Sequence, residues 1–443
     1  MERFTEQIVI AGKNRLSGKV SISGAKNAAL AIIPAALCSE DTCIIENLPD
    51  IKDVSNFVGV IRRMGASCEF TDKNKSTIRI NAKNLEINEG CYEALKDMRA
   101  SYYLIGAFLG RYGYAEIPLP GGCNFGQRPI DQHIKGFEAL GANVVVEHGL
   151  VRASAKKLTG AHVYLDVASV GATINIMLAA VYAEGTTTIE NAAKEPHIVD
   201  CANFLNMCGA SIKGAGTDVI RINGVESLGG CQYTIIPDQI ETGTYLIAGA
   251  ISGGDITVCN VIPKHMDALT AKLIEMGCQI EEGDDSIRII SNLDRLTAVN
   301  VKTLYYPGFP TDLQPQMTAL LLICKGTSFI TETVFVNRFQ YVDQIMRLGA
   351  KIKIDGRMAV VEGPSYLTGT EVVATDLRAG ASLVIAALAA EGITRISNIK
   401  YIDRGYENLE DKLFELGANI RRVRIPEKSI KAEKIDKIAK VGI

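Results

Sequence analysis

The stretch Leu119–His133, LPGGCNFGQRPIDQH, places a thiol, a guanidinium and a carboxylate on one glycine-rich segment. Gly121, Gly122 and Gly126 permit backbone conformations closed to other residues, which suits a loop that presents Cys123 outside a core. Pro129 is a natural first residue for a helix, with Arg128 at its mouth. A thiol near an arginine and a helix N-terminus has its thiolate favoured, and so serves as an acid or a nucleophile near neutral pH. The alternative for this stretch alone is a surface glycine loop carrying an incidental cysteine.

The rest of the chain must position such a group. Its 443 residues, 47% of them hydrophobic, are more than one ordinary core accommodates and imply two globular domains. A net charge of -3 without a basic tract excludes a general nucleic-acid binder and leaves a small anionic ligand as the expected partner. The opening MERFTEQIVIAG interrupts any signal-peptide apolar run, and no later apolar run reaches membrane-spanning length, so a cytoplasmic location is expected. The 11 cysteines are scattered without a C-x-x-C pair or Cys/His grouping; they read as buried small hydrophobes, with neither a disulfide framework nor a metal site expected. His148, His162, His197 and His265 are dispersed and read as surface or packing residues.

Internal repetition organises the chain. A helix-ending glycine followed by a short alternating strand recurs at Gly65, Gly141, Gly209, Gly277, Gly349 and Gly417, at spacings of 76, 68, 68, 72 and 68. Each repeat begins with a small-residue apolar helix, such as NAALAIIPAALC or GASLVIAALAA. A β-rich strand, an amphipathic helix ending at the repeated glycine, and two short strands follow; in KIKIDGRMAVVEG, Asp355-Gly356 marks the hairpin. The pattern is β-α-β-α-β-β, six times. First helices that are apolar all round suit closed domains of three repeats better than an open stack. The expected division is 25–237 for one domain, 1–24 plus 238–425 for the other, and a tail at 426–443, with the crossover near Gln232 to Asp238. VSISG, before Gly24, is a strand lacking its own repeat and is expected to pair with the second half; EKSIKAEKIDKIAKVGI breaks the pattern and reads as a solvated tail.

The heads of the buried helices carry Lys26 in GAKNA, Arg99 in KDMRA, Ser169 in VASVGAT, Glu241 in PDQIETG, Asp312 in PTDLQ and Arg378 in TDLRAG. A cation gains nothing from the positive end of a helix dipole, so a bound anion is the expected reason for Lys26, Arg99 and Arg378. Arg128 and Arg404 occupy corresponding places before second-type helices. Together these groups fit a phosphate or carboxylate substrate. For any single one the alternative is helix-end pairing, as of Arg378 with Asp376 or Arg404 with Asp403.

GAKNAAL, DMRASY, PGGCNFGQRPIDQH, SVGAT, ENAAKEPHIVD, IPDQIETGT, FPTDLQPQ, TETVFVNRF, DLRAGASLV and IDRGYENLEDKL, in that order, resemble the motifs of the UDP-N-acetylglucosamine enolpyruvyl transferases, over nearly the whole chain to about Arg424. The resemblance implies an inside-out α/β barrel fold, two domains of three β-α-β-α-β-β repeats with an active-site cleft between them. It implies transfer of the enolpyruvyl group of phosphoenolpyruvate to UDP-GlcNAc through a tetrahedral ketal, with no metal or organic cofactor, no nucleic acid and no membrane. It also makes Cys123 the general acid, able to form a phospholactoyl adduct and open to fosfomycin, and Asp312 the base at the sugar 3-hydroxyl. Lys26 and Asn27 become substrate contacts; Arg99, Arg128, Arg378 and Arg404 clamp phosphate and carboxylate; Asp376 supports proton transfer. The nucleotide is expected along Arg128, Pro129, Ile130, Asp131 and Gln132, along Ala168, Ser169, Val170 and Gly171, and at Val334. Val167, Gln239 and Tyr401 depart from the family's frequent lysine, arginine and histidine, which bears on nucleotide affinity and points to a variant or second-copy form. The rival readings are the shikimate-pathway enolpyruvyl transferase, which lacks this cysteine loop, and a catalytically silent sugar-nucleotide-binding paralogue.

Overall fold

The computed structural model describes residues 4–85, 95–96, 98–119 and 130–426, with Arg99 described through its backbone alone. Cys123, Arg128, Pro129 and the tail beyond Pro426 lie outside the described residues.

Twelve α-helices among the described residues alternate in two kinds. The buried kind comprises the first of each pair: α1 (Lys26–Ala36) with α2 (Lys52–Arg63), α3 (Tyr103–Tyr112) with α4 (Asp131–Ala139), and α5 (Val170–Ala180) with α6 (Pro196–Met207). The later pairs are α7 (Gln239–Ile251) with α8 (Asp267–Glu275), α9 (Gln314–Leu321) with α10 (Val342–Met346), and α11 (Leu377–Ala389) with α12 (Leu409–Glu415). Nearly every side chain of α1, α7 and α11 is buried, which is the fate of an Ala-rich helix apolar on all faces. Small residues let these helices approach closely. A Cβ at Gly106 on α3 would sit 2.2 Å from the Asn175 carbonyl oxygen of α5, and the Gly106 N–H donates to Asn175 Oδ1 at 2.7 Å. The second helix of each pair buries one face only and stops where the chain turns left-handed: all six repeated glycines have φ between 90° and 105°.

The sheets repeat the same order. In the third repeat, His162–Tyr164 runs parallel to Thr186–Glu190, which pairs with Val219–Asn223, which pairs in turn with Ser211–Lys213. Five sheets have four strands; that of the second repeat has three among the described residues. The strand Gln232–Thr234, which follows the third repeat, returns to lie parallel to Thr42–Glu46 of the first, with Gln232 opposite Ile44. Ser17–Ser21 lies parallel to Asp255–Cys259 of the fourth repeat, and Phe4–Ala11 sits between Ile393–Ser397 and Asn419–Pro426 of the sixth. Residues 4–22 thus complete two repeats of the second half.

The chain divides into two compact units: Ser23–Asp238 with Tyr305–Gly308, and Met1–Ile22, Gln239–Leu304 and Phe309–Ile443. Each has its own core of Ala, Leu, Ile and Val, built around its three buried helices. The fold is α/β, each unit an inside-out barrel of three β-α-β-α-β-β repeats with helices at its centre and sheets outside them. A fully buried Leu or Ile contributes about 1.5–3 kcal/mol, so a core of this kind holds its polar helix heads in fixed places. Among the described residues no helix is long and apolar enough to cross a membrane. The scatter of cysteines in the sequence is misleading in one respect: Cys43, Cys208 and Cys231, expected to be separate hydrophobes, come together in the Ser23–Asp238 unit.

Candidate functional site

In the second unit the chain before α9 forms a short 3-10 turn, Thr311–Leu313, that carries Asp312 at the head of a buried helix. Two buried guanidiniums hold its carboxylate. Arg338 Nη2 donates to Oδ1 at 3.0 Å; Arg378 donates to Oδ2 from Nε at 3.2 Å and from Nη2 at 3.0 Å. Arg338 and Arg378 are only 3% and 4% exposed, while the Asp312 side chain keeps 29%. The paired carboxylate is thus partly exposed on a buried cationic support. Arg338 also donates to the Thr311 carbonyl at 3.1 Å. Behind it Glu332 accepts from the Thr303 and Thr311 hydroxyls, both at 2.9 Å, and from the backbone N–H of Val334 at 2.8 Å. The guanidinium of Arg378 lies 5.6 Å from the centre of the Tyr406 ring, and the Tyr406 hydroxyl meets Thr244 at 2.9 Å.

The alternative helix-end pairings are not the ones observed. Asp376 does not pair with the Arg378 side chain; it caps α11, its Oδ1 accepting from the N–H groups of Arg378 at 2.8 Å and Ala379 at 3.0 Å. Asp403 pairs with Arg422 at 2.6 Å, not with Arg404, which ends the 3-10 turn Ile399–Arg404. Glu241, at the head of α7, is 3% exposed and ion-paired with Lys412 at 2.7 Å. Arg378 shares the Asp312 carboxylate with Arg338, two guanidiniums on one carboxylate.

In the Ser23–Asp238 unit Lys26 opens α1 and is 8% exposed. Its ammonium meets Asp53 at 2.7 Å, and its backbone N–H donates to Asp238 Oδ2 at 2.9 Å. A helix-head cation that a bound anion was expected to explain thus has a carboxylate partner from α2. Asn27 follows it, half-buried.

A second corner of the same unit gathers the expected nucleotide residues. Gln132 at the start of α4 donates from Nε2 to Asp166 Oδ2 at 3.0 Å and accepts at Oε1 from the Asp166 N–H at 2.8 Å. This pairing joins Ile130, Asp131 and Gln132 to the segment Asp166–Gly171, in which Ser169 caps α5 by accepting from the Ala172 N–H at 3.3 Å. His133 is buried below them, its Nδ1 2.9 Å from Asn175 Nδ2 and its ring edge-on to Tyr102. Burial pushes its pKa down to about 4, so the ring is neutral near pH 7. A Cβ at Gly171 would lie 3.0 Å from that ring, which accounts for glycine there. Val167 is exposed, whereas Ala168, Val170, Gln239 and Tyr401 are half-buried. Cys123, Arg128, Pro129 and the Arg99 side chain lie outside the described residues.

The sequence pattern of the EPSP synthase family (3-phosphoshikimate 1-carboxyvinyltransferase) matches residues 10–413. UDP-N-acetylglucosamine 1-carboxyvinyltransferase 2 of Clostridium acetobutylicum is 57% identical over 421 residues, which are 95% of this chain and 100% of that protein. The chain belongs to the enolpyruvyl (1-carboxyvinyl) transferase family. The Bacillus subtilis protein called UDP-N-acetylglucosamine 1-carboxyvinyltransferase 2 is 52% identical, with 96% of this chain and 98% of that one covered. Among solved structures, the enolpyruvyl transferase NikO from Streptomyces tendae superposes with a TM-score of 0.85 at 28% identity, covering 96% of this chain and all of NikO.

Residue-by-residue reading of this enolpyruvyl transferase missed three groups that the fold puts in place. Arg338 lies in TETVFVNRF, a motif whose arginine was given no role. Asp53 was read only as part of an amphipathic helix, and His133 only as the end of the loop motif. An arginine in the mostly apolar run VFVNRF was the one available signal.

Proposed function

We propose that this chain transfers the enolpyruvyl group of phosphoenolpyruvate to the 3-hydroxyl of UDP-N-acetylglucosamine and releases phosphate, in the cytoplasm, as the first committed step of peptidoglycan precursor synthesis for cell-wall growth and division. The observation that carries this reading is the 57% identity, over the full length of the relative, to a protein named for that reaction.

The chemistry has two halves. In the addition, Cys123 gives a proton to the methylene carbon of phosphoenolpyruvate, the adjacent carbon becomes cationic in character, and the sugar oxygen bonds to it as Asp312 takes the hydroxyl proton. In the elimination, a proton leaves the new methyl group and the carbon–oxygen bond to phosphate breaks, which restores the double bond. Lys26, Arg99, Arg128 and Arg404 balance the phosphate and carboxylate charges; Asn27 contacts substrate; Asp376 aids proton transfer while capping its helix. Pro129, Ile130, Asp131, Gln132, Ala168, Ser169, Val170, Gly171 and Val334 line the nucleotide. Arg378, with Arg338, holds Asp312 at 3.0 Å, so its part is to fix the base as well as to supply charge. The same cysteine makes the enzyme a target for fosfomycin.

The test is phosphate release from phosphoenolpyruvate with UDP-GlcNAc or shikimate 3-phosphate as acceptor. Release with UDP-GlcNAc alone, abolished in Cys123→Ser, is the expected result. Release with shikimate 3-phosphate alone would move the chain to the other branch of the family, and no release with either would make it a silent paralogue.

A further inference from the structure

Among the described residues, one group of three metal-ligating side chains stands close enough to share a single ion: the sulfurs of Cys43, Cys208 and Cys231 all lie within 4.8 Å of one another. The three are brought together by the closure of the Ser23–Asp238 unit. Cys43 is on Thr42–Glu46 of the first repeat, Cys208 ends α6 of the third, and Cys231 immediately precedes the returning strand Gln232–Thr234. Backbone bonds fix two of them, Ile44 N–H donating to the Cys231 carbonyl and Gly229 N–H to the Cys208 carbonyl, both at 2.8 Å, and Cys43 lies opposite Ile80 in its sheet.

Three apolar packing residues would not need this arrangement. Cys208 and Cys231 sulfurs are 3.2 Å apart, and a disulfide between them would use two of the sulfurs and leave the third, Cys43, fully buried without a role. A metal ion uses all three. With metal–sulfur bonds of about 2.3 Å, sulfurs sharing one zinc stand about 3.8 Å apart, between the 3.2 Å of the Cys208–Cys231 pair and the 4.8 Å limit of the group. Cys43 and Cys208 are buried and Cys231 is half-buried, and a water would complete the fourth position of such an ion.

We infer that Cys43, Cys208 and Cys231 form a three-thiolate site for a soft, closed-shell cation, zinc or cadmium in chemical class, which clamps the seam where the three-repeat ring closes. Binding replaces three thiol protons with three metal–sulfur bonds, with no change of oxidation state. The ion joins the first repeat to the third, so it stabilises the folded unit in proportion to its occupancy. The site takes no part in the transfer reaction and stands whether or not that reading of the active site holds.

The experiment uses the full chain kept reduced with a phosphine. Cadmium is titrated while the sulfur-to-cadmium ultraviolet band is followed, and bound zinc is counted after dialysis. The expected result is one tightly held ion per chain, with affinity at least about 100-fold weaker in Cys208→Ser and in Cys231→Ser, because even indirect changes around a metal cost about 10–100-fold. Cys259→Ser, at a half-buried thiol in the other unit, should bind as the wild type does. Zinc should also raise the unfolding temperature of the wild type by several degrees, and a chelator should reverse it; this readout needs no variant to fold. Equal cadmium uptake by wild type and Cys231→Ser, no zinc-dependent shift, or a Cys208–Cys231 disulfide in the protein as isolated would overturn the proposal.

Discussion

The two units close their rings at different points of the chain and with different side chains. In Ser23–Asp238 the closing strand comes from the unit's own C-terminal end, and the side chains at the join are three thiols. In the other unit the closing strand comes from the N-terminus, and the join is ionic. Arg422 on Asn419–Pro426 donates to Glu410 at 2.5 Å, to Asp403 at 2.6 Å and to Glu6 of the N-terminal strand at 3.1 Å. The Asp403 bond, first among several, raises the arginine's already high pKa further. One architecture therefore tolerates two kinds of closure, because the buried helices supply most of the stability and the seam has only to fix register. The polar helix heads differ in the same way. Among the described residues Lys26 meets a carboxylate of the neighbouring helix, whereas Asp312 meets two guanidiniums, one from its own repeat and one from the next.

The contrast between helix heads is broken most sharply at Arg338. Arg338→Ala removes one of the two guanidiniums described at Asp312 and the donor to the Thr311 carbonyl. Breaking a buried ion pair of this kind costs about 3–5 kcal/mol, so kcat/KM for phosphate release should fall by about 100-fold or more. A loss confined to thermal stability, with kcat/KM intact, would make Arg338 a packing residue.

The next effect belongs to the corner of the other unit. His133 has a pKa pushed down to about 4 from an ordinary 6.5, chiefly by burial. A group depressed in the folded state contributes stability that is whole above pH 6.5 and is lost as pH falls towards 4, here about 3 kcal/mol. Urea unfolding from pH 7 to pH 4 should show that loss in the wild type and a flatter profile in His133→Gln.

The ionic seam gives the smallest effect. Arg422→Ala should cost about 1–2 kcal/mol at low salt, since the cluster is only partly buried, and the difference from wild type should shrink in about 1 M salt. A cost independent of salt would assign the effect to packing of the arginine stem.

Much of this was legible beforehand for identifiable physical reasons. The six glycines betray the repeat because only a left-handed residue ends each helix, and they fix where the buried helices must lie. The ordered motifs carry the family. What spacing did not reveal depends on ring closure: Cys43 and Cys231 are far apart in sequence yet meet because Gln232–Thr234 returns to the first repeat. Lys26 with Asp53, and Asp312 with Arg338 and Arg378, are likewise contacts between elements, set by how helices pack and not by any local pattern. The carboxylate that meets the helix-head cation Lys26 lies on another helix, where no local pattern points to it.

The claim that matters most is that Asp312, held by two buried guanidiniums, acts on the sugar hydroxyl in the transition state. Turnover and UDP-GlcNAc affinity measured on Asp312→Ala test it directly. Turnover should fall by about 1000-fold or more while the dissociation constant of UDP-GlcNAc changes by less than about 10-fold. Equal losses in turnover and in nucleotide binding would contradict it.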